Sequence, residues 1–335
     1  MKILAFGEVM LRMMPSDYKT LTQVDTLEFL FTGTGVNILS SLYQMGNDVY
    51  LTTCLPDNAV GKAASAHMRK LGIHDEFIQY RGNHMGIYFL EKGIGQRASQ
   101  VTYLNRKDSS FGLSQVTDYD FNCLDGMDAL HLCGISLALN QELRDVAMTF
   151  VKEAKKRHIK VIFDCNFRPS LWNDETRPYA KDIYEQMLKE ADIVFAGIKD
   201  ATLLLEKAID PTLPHSLQLE SALKQMCDDY HIEVIFGTER RQEDGQDYLS
   251  GYMMKNGQLI RSQKHALIVY DRVGGGDGFA AGAIHAYLHQ MEQPLLIEYA
   301  TVSGVFAHTT YGDSPITGYD EIMDYIKHGK SDIRR

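Results

Sequence analysis

The segment Asp271-Arg-Val-Gly-Gly-Gly-Asp-Gly-Phe-Ala-Ala-Gly282 carries the strongest chemical signal in the chain. Three successive glycines, Gly274, Gly275 and Gly276, let the backbone turn with its N–H groups converging on one concavity. The residues that follow have helical spacing, with Phe279, Ala283 and Tyr287 in one row and Ala280, Ile284 and Leu288 in the next. A helix N-terminus offers free N–H groups and the positive end of a dipole, and both stabilise a phosphate. Asp277 stands at that mouth, where a carboxylate can accept the proton of an attacking hydroxyl. An Asp that only capped a helix would need no triple glycine before it. The chemistry predicted is phosphoryl transfer to an alcohol, with Asp277 as base and Gly274, Gly275 and Gly276 as the anion hole.

Other phosphate motifs are absent. No G-x-x-x-x-G-K-[ST] occurs, since Gly61-Lys62 lacks both the upstream glycine and the hydroxyl residue. Gly93-Ile-Gly95-Gln-Arg-Ala98 fits a dinucleotide fingerprint by letter, but it opens no helix and reads as a turn.

The elements that must hold these residues follow from periodicity. Lys2 to Met14 is short and apolar, stops before Pro15, and reads as a strand. Val36 to Met45 reads as a helix, Val49 to Cys54 as a strand, and Asn58 as the cap of a helix reaching about Leu71. Phe77–Tyr80, Gly86–Leu90 and Gln100–Tyr103 are aromatic-rich runs around a glycine turn and predict antiparallel hairpins. The second half alternates strand and helix. Leu130–Cys133, Lys160–Phe163, Ile193–Ala196 and Glu233–Phe236 are the strands, and Leu143, Val146, Ala147, Phe150, Val151 and Ala154 form one helical stripe. The expected fold is a single layered α/β domain over residues 1–335. Its sheet is mainly parallel, and a discontinuous β lid is drawn from about 9–32 and 76–106. Ligands in such sheets lie beyond the carboxyl ends of the strands.

Composition limits the partners. The chain has 335 residues, 44% hydrophobic and 23% charged, and a formal net charge of −10, which disfavours nucleic acid as a ligand. Its five cysteines include no C-x-x-C pair, so neither a zinc site nor a disulfide framework is expected. The N-terminal stretch is broken by Glu8 and Arg12 and makes a poor signal peptide. No apolar run is long enough to span a membrane, and a cytoplasmic location is expected.

The glycine-rich segment ending in Gly-Gly-Gly-Asp-Gly-Phe resembles the C-terminal signature of the ribokinase-like carbohydrate kinases. Thr32-Gly-Thr-Gly-Val-Asn37, Gly46, Leu55-Pro-Asp-Asn-Ala-Val-Gly61 and Leu71-Gly-Ile73 match the family's N-terminal half in order and spacing. Within the family, Gly7-Glu-Val-Met-Leu-Arg12, Gly134-Ile135 and Asp164-Cys-Asn-Phe-Arg168 with Leu171-Trp172 resemble the members acting on 2-keto-3-deoxygluconate. The resemblance implies a Rossmann-like core, a β lid that also joins subunits as a homodimer or higher homo-oligomer, ATP with Mg²⁺, and phosphorylation of a terminal hydroxyl. It implies Asp277 as catalytic base, Gly274 to Gly276 as anion hole, and Gly33, Thr34 and Asn37 as sugar-hydroxyl binders. Tyr88 would be a lid tyrosine at the substrate, and Asp313 a late substrate contact. Arg106 would be a cationic contact to an acid sugar. Arg168 follows a strand end and precedes Pro169, and its fork suits a carboxylate or the phosphates of ATP.

The chain departs from the family pattern in places. Gly197-Ile-Lys-Asp200 stands where an N-x-x-E element near the metal is usual, Leu104-Asn105 replaces aromatic residues, and Gly278 replaces an alanine. Arg106, Arg168 and Arg12 together favour an acid sugar. A kinase for a neutral sugar and a non-catalytic sugar-binding protein are the competing readings.

Overall fold

The computed structural model describes residues 1–172 and 174–330. The elements are β1 (Lys2–Phe6), β2 (Met10–Met14), β3 (Glu28–Thr32), α1 (Thr34–Gln44), β4 (Asp48–Leu55), α2 (Ala59–Lys70), β5 (Ile78–Tyr80), β6 (Gly86–Glu91) and β7 (Gln100–Leu104). Next come β8 (Ala129–Cys133), α3 (Gln141–Lys156), β9 (Lys160–Asp164), α4 (Ala180–Leu188), β10 (Ile193–Phe195), α5 (His215–Tyr230) and β11 (Val234–Glu243). The chain then forms β12 (Gln246–Lys255), β13 (Gln258–Arg261), β14 (His265–Ala266), α6 (Gly275–Leu288), α7 (Gln293–Ala307) and α8 (Tyr319–His328).

The large sheet runs β13-β12-β11-β10-β9-β8-β1-β4-β5, with β14 on β12. From β11 to β5 the pairing is parallel, and its strands are apolar on both faces because each face carries helices. Alternation divides the side chains between two cores. Leu4 and Phe6 of β1, Leu130 and Leu132 of β8, and Val161 and Phe163 of β9 pack under α3, α4 and α5. Ile3, Ala5, Ala129 and Ile162 point the other way, toward α1, α2, α6 and α7. The predicted stripe of α3 is wholly buried, and Phe150 lies 5.0 Å from Phe6 between ring centroids.

A separate four-stranded sheet has the order β3-β2-β6-β7, with β2–β3 and β6–β7 antiparallel and β2–β6 parallel. Three expectations need correction. Lys2–Met14 is not one strand: Gly7-Glu8-Val9 breaks it, and β1 and β2 belong to different sheets. The apolar residues on either side of Gly7-Glu8-Val9 hide this, because β1 is buried and β2 is at least half-buried. Phe77–Tyr80 does not form a hairpin, since β5 pairs in parallel with β4 in the large sheet. After β11 the alternation stops, and β12 and β13 extend the large sheet in antiparallel fashion. No helix among the described residues is long and apolar enough to cross a membrane.

Asn58 caps α2 as expected, its side-chain oxygen accepting from Val60 N and Gly61 N. Its amide also donates to Asn83 O at 2.9 Å, tying the helix start to the loop before β6. Asn58→Ala loses both contacts and should cost about 1–2 kcal/mol of stability in urea unfolding. Turnover should stay near wild type, because Asn58 does not line the cavity that holds Asp277.

Candidate active site

The site is built around the first turn of α6. Gly274 is its N-cap, in left-handed conformation at φ 87°, and among the described residues no side chain caps the first N–H groups. Each glycine has a separate steric reason. A Cβ on Gly274 would overlap the carbonyl oxygen of Asp313, and one on Gly275 would overlap the His308 ring. At Gly276 a Cβ would meet no protein atom within 4 Å, so that residue leaves the approach to the helix open. Asp277 lies in the helical first turn and is not the cap.

Asn37, on the first turn of α1, donates from Nδ2 to Asp277 Oδ2 at 2.7 Å. The Asn37 amide is held in turn. Its Oδ1 accepts from Ser314 Oγ at 3.3 Å and lies 3.2 Å from Thr32 Oγ1. Thr32 Oγ1 also lies 2.7 Å from Asp313 Oδ2, so its single proton serves both neighbours. A line of buried polar groups thus orients the Asp277 carboxylate.

A cavity of about 580 Å³ opens over this turn. Gly33, Thr34, Asn37, Tyr88, Arg168, Gly274, Gly276, Asp277 and Asp313, all singled out from the sequence, line it. A second hollow of about 890 Å³ adjoins it, sharing Gly197, Asp200, Thr238 and Tyr252.

Three side chains stand differently from expectation. Arg106 is buried, donates from Nε to Glu8 Oε2 at 2.7 Å, and stacks with its guanidinium carbon 5.3 Å from the Tyr103 ring. It lines a separate hollow of about 310 Å³ with Tyr103 and Leu171, distinct from the cavity over α6. Asp313 reaches the wall, but its carboxylate is already engaged by Arg12, Thr32 and Tyr88. Arg12 is wholly buried and spends its charge on Asp313 and Asp271 instead of on a ligand. Arg168 is exposed, lines the cavity and donates to Asn166 Oδ1 at 3.0 Å.

Sequence reasoning missed Asp164 as a site residue, although it ends β9, where such sheets place ligand groups. Burial, then the Asp277 and Asp200 carboxylates, push the Asp164 carboxyl up to about 8. Burial also pushes Asp277 up to about 6, although the Asn37 hydrogen bond and Arg168 hold it down. Asp200, in the element that departs from the usual pattern, accepts from Gly197 N at 2.7 Å and closes the turn after β10. Among the described residues, no group of three His, Cys, Asp or Glu side chains could hold a metal alone.

The match to the pfkB carbohydrate kinase family runs over residues 1–317, and the chain belongs to that family. An Enterococcus faecalis structure provisionally named a 2-keto-3-deoxygluconate kinase is 39% identical over 100% of this chain and 98% of its own, with a TM-score of 0.96. A 2-dehydro-3-deoxygluconokinase from Thermotoga maritima is 31% identical over 97% of each chain, with a TM-score of 0.90. A 2-dehydro-3-deoxygalactonokinase from Haloferax volcanii is 23% identical over 100% of this chain and 99% of its own.

The raised Asp277 carboxyl has a consequence for stability. A carboxyl with a higher pKa folded than unfolded favours the fold while protonated, and that contribution is lost as pH rises through the folded value. Asp277→Asn keeps an oxygen for Asn37 and carries no charge. It should therefore unfold at higher urea than wild type above about pH 6, by up to about 3 kcal/mol, with the gap closing toward pH 4. Urea unfolding at pH 4, 5.5 and 8 measures it.

Proposed function

We propose that the protein transfers the γ-phosphoryl group of ATP to the 6-hydroxyl of 2-keto-3-deoxygluconate, giving the 6-phosphate and ADP. The observation that carries this reading is the Asp277 carboxylate, aimed by Asn37 at the uncapped, glycine-lined N-terminus of α6. Asp277 takes the hydroxyl proton while the sugar oxygen forms its bond to the γ-phosphorus. The bond from that phosphorus to the bridging oxygen breaks, and ADP leaves with the bonding pair. The free N–H groups of Gly275 and Gly276 stabilise charge on the transferring group. Gly33, Thr34 and Asn37 hold sugar hydroxyls, and Arg168 meets the substrate carboxylate or an ATP phosphate. The adjoining hollows leave room for a nucleotide beside a sugar.

Mg²⁺ fits this donor set, because it commonly takes one or two carboxylates plus phosphate oxygens and water. Asp164 and Asp200 would hold it, and it would neutralise phosphate charge. The exposed Phe29, Val101 and Leu104 of the small sheet suit burial in a homodimer, with that sheet as lid. A cytoplasmic location fits the need for ATP.

Two measurements test the reading. Wild-type kcat/KM should fall below about pH 6 as Asp277 gains its proton, and Asp277→Asn should lower kcat by about 10²–10⁴ with little change in sugar Kd by calorimetry. A variant keeping more than about a tenth of the wild-type rate removes Asp277 as base.

The second measurement concerns substrate charge. With Arg106 neutralised by Glu8 and Arg12 by two aspartates, Arg168 alone of these arginines is available at the cavity. One charged hydrogen bond contributes about 1.5–3 kcal/mol, so 2-keto-3-deoxygluconate should exceed fructose in kcat/KM by at least about tenfold. Arg168→Leu should erase most of that ratio. Equal wild-type values would point to a neutral-sugar kinase, and 2-keto-3-deoxygalactonate in the same panel decides the stereochemistry.

A further inference from the structure

The side chains that join the small sheet to the loops around α6 lie outside the reaction described above, yet they are the most heavily buried charges in the molecule. Arg12, in the middle of β2, is 0% exposed. Its Nη2 donates to Asp271 Oδ2 at 3.0 Å, and its Nη1 pairs with Asp313 Oδ1. Burying three charges is costly unless each has a partner, so such a group needs a reason to persist.

What the two carboxylates do next supplies that reason. Asp271 Oδ1 accepts from Val273 N at 3.2 Å, which shapes the loop leading into Gly274. Lys92, just after β6, adds a second cation to Asp271 at 3.2 Å and lies 4.6 Å from the Tyr311 ring centroid. Asp313 accepts from Thr32 of β3 and Tyr88 of β6, each at 2.7 Å. The Asp313 carbonyl oxygen lies against Gly274, where only a glycine leaves room for it. Met14, Tyr88 and Leu90 of the small sheet also pack on Val273. The small sheet therefore bears on both loops that set the first turn of α6: Arg12 pairs with the carboxylates of both, and Lys92 reinforces it from Asp271 to Tyr311.

We propose that Arg12 is a positioning residue for phosphoryl transfer: from the small sheet it holds the 271–274 loop and the 313 segment together, so that seating the sheet over a sugar and forming the anion hole are one event. This rests on the kinase reading above. Without the guanidinium, two buried carboxylates face each other, the 271–274 loop spreads, and the Gly275 and Gly276 N–H groups no longer converge on the transferring group. A displacement of about 1 Å at such a site costs about a hundredfold in rate.

The test uses the full-length protein with ADP, aluminium fluoride as mimic of the transferring phosphoryl group, and whichever sugar of the panel wild type turns over best. A wrong sugar assignment therefore leaves it intact. In wild type, aluminium fluoride should tighten ADP binding in the presence of sugar. Arg12→Met should lower kcat about 10²-fold, shift ADP affinity alone by less than about threefold, and abolish the fluoride-dependent tightening. Arg12→Lys, which reaches only one carboxylate at a time, should recover part of both losses. Because Arg12→Met leaves two buried carboxylates without their cation, the charge-balanced variant Arg12→Met/Asp271→Asn/Asp313→Asn serves as a second arm. That variant should fold but still fail to trap aluminium fluoride. A folded triple variant with wild-type kcat and trapping would overturn the proposal, as would an Arg12→Lys protein whose kcat, ADP affinity and melting temperature all fall in proportion.

Discussion

A helix that must receive a phosphate with its first N–H groups cannot cap them with its own side chain, and the first turn of α6 is arranged under that constraint. An uncapped turn has lost the usual local means of fixing its geometry. Its position must come from farther away. Gly274 is pinned by the Asp313 carbonyl, Gly275 by His308, and Asp277 by Asn37, each from a different part of the chain. The helix behind this turn is buried nearly all round against α1 and α7, so the turn sits on a rigid base. The open side at Gly276 is what remains after every other direction has been filled.

Much of this was legible from residue types and spacing. Three glycines before an acid and a helical apolar pattern predict the turn and its chemistry. The stripe of α3 and the asparagine before α2 fix those helices from local rules alone. Asn37, in the first turn of α1, and Arg168, four residues past the end of β9, were legible because sheet topology brings such positions to one rim, although Asp164 at the strand end itself was passed over. The boundary at Gly7-Glu8-Val9 was not legible. Burial makes both strands apolar, and alternation cannot show that the chain has moved to another sheet.

Charge pairing was the other illegible feature, for a different reason. Arg12 and Asp271 are 259 residues apart, and nothing in the local sequence of either announces the other. A count of arginines near the lid therefore overstates the positive charge offered to a ligand. Glu8 absorbs Arg106, and the aspartates absorb Arg12. An arginine's type predicts that it will bind an anion, while only the fold decides whether that anion is internal.

Under the proposed function, selectivity for an acid sugar has to arise in a cleft whose arginines are set against acidic groups. The cavity floor is acidic, with Asp164, Asp200 and Asp277 on its wall and burial raising all three carboxyls. An incoming carboxylate or phosphate meets repulsion wherever those groups are ionised. Burial and the neighbouring carboxylates hold the Asp164 carboxyl up, so its negative charge is readily offset by a proton or, when bound, by a cation. Arg168 at the rim lowers both Asp164 and Asp277, so its charge is felt by the floor as well as by a ligand. Arg168 shares this cavity with Arg272, which is also exposed, so an anion that seats here meets two arginines set against an acidic floor.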